Sequence, residues 1–269
     1  MNTSPLIALL TDFGLADPYV GQMKSVLFSA APGVPVLDIS HDVGAQDVMQ
    51  AAFFLASTLL WLPPAAVVAA VVDPGVGTDR RVVVLEASSR IIVAPNNGLL
   101  TLVLDRLAGF RAFDATPRVA PASATFHGRD VFAPLAARLA MGERPVDLGY
   151  VMPPGLLRRL DNVAAGRLGD RVEARVLSVD RFGNVVTSCA VERFGIRPAG
   201  VRLVEPVAAP LAGVGTYAEI GPGQVGFLAG SQGYLELAVA GGSAAAILGL
   251  SRGEALTFFW PQGEGALTA

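Results

Sequence analysis

The segment AAFFLASTLLWLPPAAVVAAVVD, residues 51–73, decides the fold. Positions 51–72 carry no charge. Length alone matches a membrane-spanning helix, which needs about 20 apolar residues. Pro63-Pro64 sits in the middle of the run. A proline inside a helix removes a backbone hydrogen bond and clashes with the preceding turn, so no single helix passes through it. The run reads instead as a buried helix, a Pro-Pro turn and a buried strand over 66–72 that ends at Asp73. This is the core of a soluble protein.

The same alternation extends outward. Apolar, β-rich runs at 6–10, 36–39, 82–86 and 91–94 are expected strands. Stretches at 20–30, 45–62, 99–107 and 131–141 are expected helices. Fully apolar strands alternating with helices imply a mostly parallel sheet covered on both faces. Residues 1–160 are therefore read as an α/β domain. Ligands in such sheets collect at the carboxyl ends of the strands. Asp12, the His41 region and Asp73 fall at three such ends.

Residues 142–169 are rich in Pro, Gly and Arg and read as a connector. Beyond them, short strands separated by glycine turns imply a small antiparallel β-barrel domain over 161–269.

Bulk properties exclude several function classes. Net charge is −3 over 269 residues, with no basic half, which argues against a nucleic-acid partner. Cys189 is the single cysteine, so no intrachain disulfide and no cysteine metal cluster can form. Two histidines, His41 and His127, argue against a zinc site. No basic segment precedes the first apolar run, and Asp12 interrupts it early. A signal peptide is not expected, and a cytoplasmic location is.

Four motifs hold polar residues that folding alone does not explain. TDFGLADPYVGQMK (11–24) places Asp12 and Asp17 after a buried strand. A metal, a sugar hydroxyl and a helix cap all fit that pair. VVDPGVGTDRR (71–81) follows an acid with a glycine-rich turn, but lacks Gly-Lys-Ser/Thr and has Arg80 where a dinucleotide loop needs glycine. FHGRDVFAP (126–134) puts His127 at a turn before a helix. A His, an Arg and an Asp converging there could hold and polarise one water. His41, in DISHDV, reads as structural. DRFGNVVTS (180–188) pairs with GSQGYLEL (230–237). Its spacing favours a plain hairpin turn, although Asn can read an adenine edge and Phe can stack on it.

Together, these motifs with DISHDV and PNNGLLT resemble the S-adenosylmethionine hydroxide adenosyltransferase family, related to the adenosyl-fluoride and adenosyl-chloride synthases. The matching stretches run in order from residue 11 to 238. The resemblance implies an α/β domain followed by a β-barrel. It also implies a homotrimer, with substrate bound between one subunit's N-domain and a neighbour's C-domain. The reaction implied is hydrolysis of S-adenosylmethionine to adenosine and methionine, by in-line attack of water or hydroxide on the ribose 5′ carbon. S-adenosylmethionine is then the substrate, with no separate cofactor, no metal, and no nucleic-acid or membrane partner.

The family's Asp–Arg–His set around the attacking water maps onto Asp73, Arg80 and His127. The halide-using branch lacks it. By the same mapping Asp12 holds the ribose hydroxyls, with Asp17 on the same wall. Phe182 and Asn184 sandwich and read the adenine, with Tyr217 a further stacking candidate. Asp180 and Ser231 hold the amino-acid end of methionine. Ser188 stands where the pattern expects Asn, and Asn96 where Asp is frequent. The competing readings are an adenosyl-halide synthase and a non-catalytic module that binds S-adenosylmethionine or adenosine.

Overall fold

The computed structural model describes residues 5–117, 121–195 and 200–261. The chain divides into two compact units, Met1–Leu160 and Asp161–Ala269.

The first unit is an α/β domain. Its strands are β1 (Leu6–Thr11), β2 (Val36–Ser40), β3 (Ala66–Val71), β4 (Val82–Ala87), β5 (Arg90–Pro95), β6 (Arg111–Asp114) and β7 (Tyr150–Val151). Its main helices are α1 (Tyr19–Ala30), α2 (Val48–Thr58), α3 (Thr101–Arg106) and α4 (Ala133–Ala140). The sheet order is β2-β1-β3-β5-β4-β6-β7. Neighbours are parallel from β2 through β5, then antiparallel from β5 through β7. The strands that carry the site form the parallel part. β6 is four residues long with a charge at each end, and β7 is only two residues, so neither carried a strand signal in the sequence.

Residues 51–72 fold as the sequence implies. Asp47 Oδ1 caps α2 by accepting from Gln50 N at 2.8 Å. A 3-10 turn, Leu59–Trp61, closes the helix before Pro63-Pro64. Arg90 Nε then donates to the Leu62 carbonyl at 2.8 Å, satisfying an end the prolines cannot. β3 is buried at every position. Trp61, by contrast, is 81% exposed, so the uncharged run is not one continuous core element. Among the described residues no helix is long and apolar enough to cross a membrane.

α4 differs from expectation at its start. Its approach is a π-helical turn, Gly128–Phe132, in which Ala133 N reaches back to Gly128 O. Pro134 follows at once and brings no N–H. The wider turn falls where the proline interrupts the ladder, and π-turns of this kind are frequent at functional sites. Phe132, fully buried, anchors the turn in the core beside Leu9, Ala69 and Ala136.

The second unit holds β8 (Gly166–Leu168), β9 (Arg171–Val179), β10 (Val185–Ala190), β11 (Arg202–Glu205), β12 (Ala209–Gly213), β13 (Val225–Ala229), β14 (Tyr234–Val239) and β15 (Ala255–Phe259). The order β10-β14-β13-β12-β11-β15-β9 closes on itself because β9 also pairs with β10. The result is a barrel of seven strands, with β8 added alongside β9. Closure removes the open edges an isolated sheet would expose. Inside, Phe227 stacks on Phe258 with ring centroids 5.3 Å apart. Cys189 is fully buried among the same side chains, and burial pushes its thiol up to about 12. One pairing is not antiparallel: β12 and β13 run parallel. The chain between them crosses over rather than turning tightly, and a 3-10 turn at Tyr217–Glu219 forms part of the crossing.

Candidate active site

Register sets where the site lies. Thr11 of β1 stands opposite Val71 of β3, and Leu10 opposite Ser40 of β2. The three strands end together. Asp12, His41 and Asp73 therefore leave the sheet at one edge, the carboxyl edge.

Asp73 and Arg80 close the loop that follows β3. Arg80 Nε donates to both Asp73 carboxylate oxygens, at 2.8 and 2.7 Å, and Nη2 also pairs with Oδ2. The two side chains are only 5% and 7% exposed. Gly77 makes the turn possible. Its φ is +78°, and a Cβ there would lie 2.9 Å from the Ala124 carbonyl oxygen. The Arg80 guanidinium also rests 5.4 Å from the Phe132 ring centroid.

Arg80 then reaches His127. Its Nη2 lies 2.8 Å from His127 Nδ1. A guanidinium only donates, so Nδ1 accepts and the imidazole proton sits on Nε2. Burial lowers the His127 pKa from its ordinary 6.5, and the Arg80 charge lowers it further, against the opposing pull of Asp73 and Asp130. The ring is neutral at pH 7 and presents an N–H donor.

Asp12 is fixed from two sides. Its Oδ2 accepts from Gln46 N at 2.8 Å. Behind it, buried Thr11 Oγ1 lies 2.8 Å from His41 Nδ1, and Gly14 N donates to the His41 carbonyl at 2.8 Å. His41 Nε2 is 3.0 Å from Asp38 Oδ1, an ion-pair distance without hydrogen-bond alignment. His41 is structural, as its sequence context implies, and it braces the segment carrying Asp12.

Asp12, Asp73 and His127 all line one cavity of about 410 Å³. Arg80 supports them from behind and borders a second space of about 290 Å³ that His127 also touches. A larger cleft of about 670 Å³, near Asp114, Arg138 and Tyr150, holds none of the candidate site residues. Converging polar groups, not size, pick out the site. Asp17 is exposed ahead of α1 and is not among the lining residues. The position before that helix is Pro18, without a side-chain cap. Phe13, Tyr19 and Phe126 do line the cavity, and sequence reasoning passed them over. The available signal was three aromatic residues embedded in polar motifs.

In the second unit, Asp180 is the keystone of its turn. Oδ1 accepts from Phe182 N at 2.8 Å and Asn184 N at 2.9 Å, and Oδ2 from Asn184 Nδ2 at 2.9 Å. Gly183, at φ +84°, packs where any Cβ would collide with Ser243. These contacts display the turn that the spacing favours. Phe182 projects from its tip, 76% exposed. Tyr217, half exposed, donates its hydroxyl to Glu236 Oε1. Ser231 is exposed in the turn before β14.

Glu236 was not anticipated. It is buried, and a Cβ at Gly230 would meet its Oε2 at 2.6 Å. Burial raises its pKa, the Tyr217 hydrogen bond opposes that, and the Asp180 charge adds to it. The signal was a lone charge inside the apolar run YLELAV. The two departures from the family pattern have folding roles. Asn96 donates to Leu156 O at 2.9 Å and accepts from Arg158 N at 2.8 Å, which a carboxylate could not do both ways. Ser188 Oγ accepts from Arg175 N at 3.0 Å.

The family model described as the SAM hydroxide adenosyltransferase N-terminal domain matches residues 7–149, and the C-terminal model matches residues 174–257. The chain belongs to the SAM hydroxide adenosyltransferase family. It is 40% identical over 260 residues to the (R)-S-adenosyl-L-methionine hydrolase of Salinispora tropica, covering 95% of this chain and 98% of that one. The fluorinase of Actinoplanes sp. is more distant, 28% identical over 88% of this chain and 91% of that one. A crystal structure of an uncharacterized conserved protein from Thermotoga maritima superposes with a TM-score of 0.85 at 32% identity, covering 94% of this chain and 99% of that one. For this member of the adenosyltransferase family, Asp12 lines the same cavity as Asp73 and His127, the two residues that Arg80 joins.

Proposed function

We propose that the chain hydrolyses S-adenosylmethionine to adenosine and methionine, and that its substrate is the (R)-sulfonium epimer for which the hydrolase relatives are named. The observation that carries this reading is the ladder from buried Asp73 and Arg80 to half-buried His127, opening on the cavity that Asp12 lines.

The leaving group is a neutral thioether, so no acid is needed to protonate it. The demanding step is presenting an oxygen nucleophile in line with the C–S bond. Positioning of that kind contributes up to ~7–11 kcal/mol in the best cases. His127 Nε2–H donates to the water, and its tautomer keeps that nitrogen from acting as the base. Arg80 supplies positive charge close by, which stabilises hydroxide character on the nucleophile. Asp73 holds Arg80 in place. Attack of an anionic oxygen on a cation cancels charge in the transition state, which a dry cavity favours. The bond formed is O–C5′ and the bond broken is C5′–S. The water's proton leaves to solvent.

In the same reading Asp12 accepts from the ribose hydroxyls, with Asp17 assigned to the ribose side as well. Phe182, Asn184 and Tyr217 contact the adenine, and Asp180 and Ser231 the amino-acid end. The enzyme works in the cytoplasm as a homotrimer, without a separate cofactor.

Incubation with each purified sulfonium epimer, in the presence and absence of chloride, followed by chromatography, tests the proposal. Adenosine and methionine in equal amounts from the (R)-epimer is the expected result. A 5′-chloro product would shift the reading to halide transfer, and tight binding with no product would shift it to a sensor.

A further inference from the structure

We propose that Phe13, Tyr19 and Phe126 form a cation-recognising corner that makes the site prefer a sulfonium over the neutral thioether of the same skeleton. The proposal rests on the S-adenosylmethionine reading above and names how that substrate's charge is read.

The three rings line the same cavity as Asp12, Asp73 and His127. Their centroids lie 5.9 Å (Phe13–Tyr19), 5.8 Å (Phe13–Phe126) and 5.1 Å (Tyr19–Phe126) apart. The planes meet steeply, at 57°, 70° and 76°. This differs from the core pair Phe227–Phe258, which stacks at 16° in full burial. Tyr19 is 45% exposed, so the trio is not simply filling a core. Mutually steep rings turn their faces in different directions. A cation seated over a triangle this small is within the ~6 Å reach of all three ring centroids.

A sulfonium has no N–H or O–H to donate, so hydrogen-bond acceptors cannot recognise it by direction. The choices are carboxylates and π faces. Asp73 is committed to Arg80, and Asp12 already accepts from Gln46 N. The aromatic faces remain. Phe126 already takes part in one cation–π contact, with Arg129 Cζ 5.1 Å from its centroid. Asp130, through Nε at 2.6 Å, and Gln22, through Nη1 at 3.0 Å, hold that arginine in place. The same ring also lines the cavity.

The sulfonium charge disappears as the C–S bond breaks. The corner therefore stabilises bound substrate more than the transition state, so its loss raises KM and does not lower kcat.

The test is calorimetry on a His127→Ala protein, titrated with S-adenosylmethionine and with S-adenosylhomocysteine, which lacks the S-methyl and the charge. Tyr19→Leu keeps apolar bulk at a half-exposed position, so folding is not at risk. It should weaken sulfonium binding about three- to tenfold and leave the neutral thioether nearly unchanged. Phe13→Leu should act alike, and Tyr19→Phe should retain the preference. In the otherwise unaltered enzyme, Tyr19→Leu should raise KM and leave kcat unchanged or modestly higher. Parallel weakening of both ligands, or an unchanged ratio, overturns the corner. If the unaltered enzyme releases adenosine while the ratio stays fixed, the corner falls and the hydrolase reading stands. If the ratio responds but no adenosine forms, the corner stands and the hydrolase reading falls. Binding of neither ligand overturns both.

Discussion

Arg80 Nη2 donates to His127 Nδ1 across 2.8 Å, while Nε of the same guanidinium is spent on Asp73. One planar fork thus couples a buried carboxylate to the tautomer of an imidazole. Lysine, with a point charge and no fork, could not serve both partners at once.

Breaking the ladder should slow chemistry and spare binding. His127→Ala and Asp73→Asn are each expected to lower kcat about 10²–10³-fold, the scale of losing one preorganised donor. KM should move little. Asp73→Asn should also lower the melting temperature, because removing one member of a buried ion pair costs about 3–5 kcal/mol. Steady-state adenosine release and thermal unfolding measure the two effects. Undiminished turnover in both variants removes the catalytic role of the ladder.

The ladder also sets a pH dependence. His127 has its folded pKa depressed below 6.5 by burial first and by Arg80 second. Its neutral form is therefore favoured by folding. That contribution to stability is present above pH 6.5 and is lost as pH falls through the lower folded value. Activity should follow, since a protonated Nδ1 cannot accept from Arg80. The expected acid limb of the kcat/KM profile lies below pH 6.5 and disappears in His127→Ala. A limb above pH 6.5 that persists in the variant would assign it to another group.

Asp12→Ala should act on binding. It removes the carboxylate from the cavity and leaves Gln46 N without its 2.8 Å acceptor. KM for the sulfonium substrate is expected to rise about tenfold or more, as for a charge-assisted hydrogen bond worth roughly 1.5–3 kcal/mol. His41→Ala, one step back, should raise KM less, and His41→Asn should recover part of the loss by bonding Thr11. Equal KM values for all three proteins would remove Asp12 from the ribose.

Glu236 gives a prediction of opposite sign to His127. Its folded pKa is raised from 4.5 by burial, so the protonated form is the one folding favours. The stability it contributes is present below pH 4.5 and is lost as pH rises through the higher folded value. Glu236→Gln keeps the Tyr217 partner but cannot ionise. The melting-temperature difference, variant minus parent, should grow from pH 4 toward pH 8. A difference independent of pH would place the ionised form in the native barrel.

What the sequence disclosed, and what it hid, follows from range. Pro63-Pro64 and the apolar strand before Asp73 speak through local backbone chemistry, so the helix–turn–strand order was legible. Asp12 and Asp73 could be placed at one edge because parallel sheets end their strands together. The aromatic corner was hidden because Phe126 is over a hundred positions from Phe13 and Tyr19, and only the fold brings them together. The π-turn at Gly128–Phe132 was hidden because Pro134 resets the ladder upstream of itself. The parallel β12–β13 pair was hidden because adjacent strands in a glycine-rich region read as hairpins. Asp180 was legible as a turn residue from Asx preference alone.

Cys189 turns the barrel into its own reporter. The chain has no other thiol, and this one sits inside the ring of strands with its pKa pushed up to about 12. A thiolate-seeking reagent cannot reach it, or find it ionised, while β10 is seated between β9 and β14. The rate of labelling therefore counts the molecules whose second unit has opened, whatever the first unit is doing. One mass shift separates the unfolding of the barrel from that of the α/β domain, without any added probe.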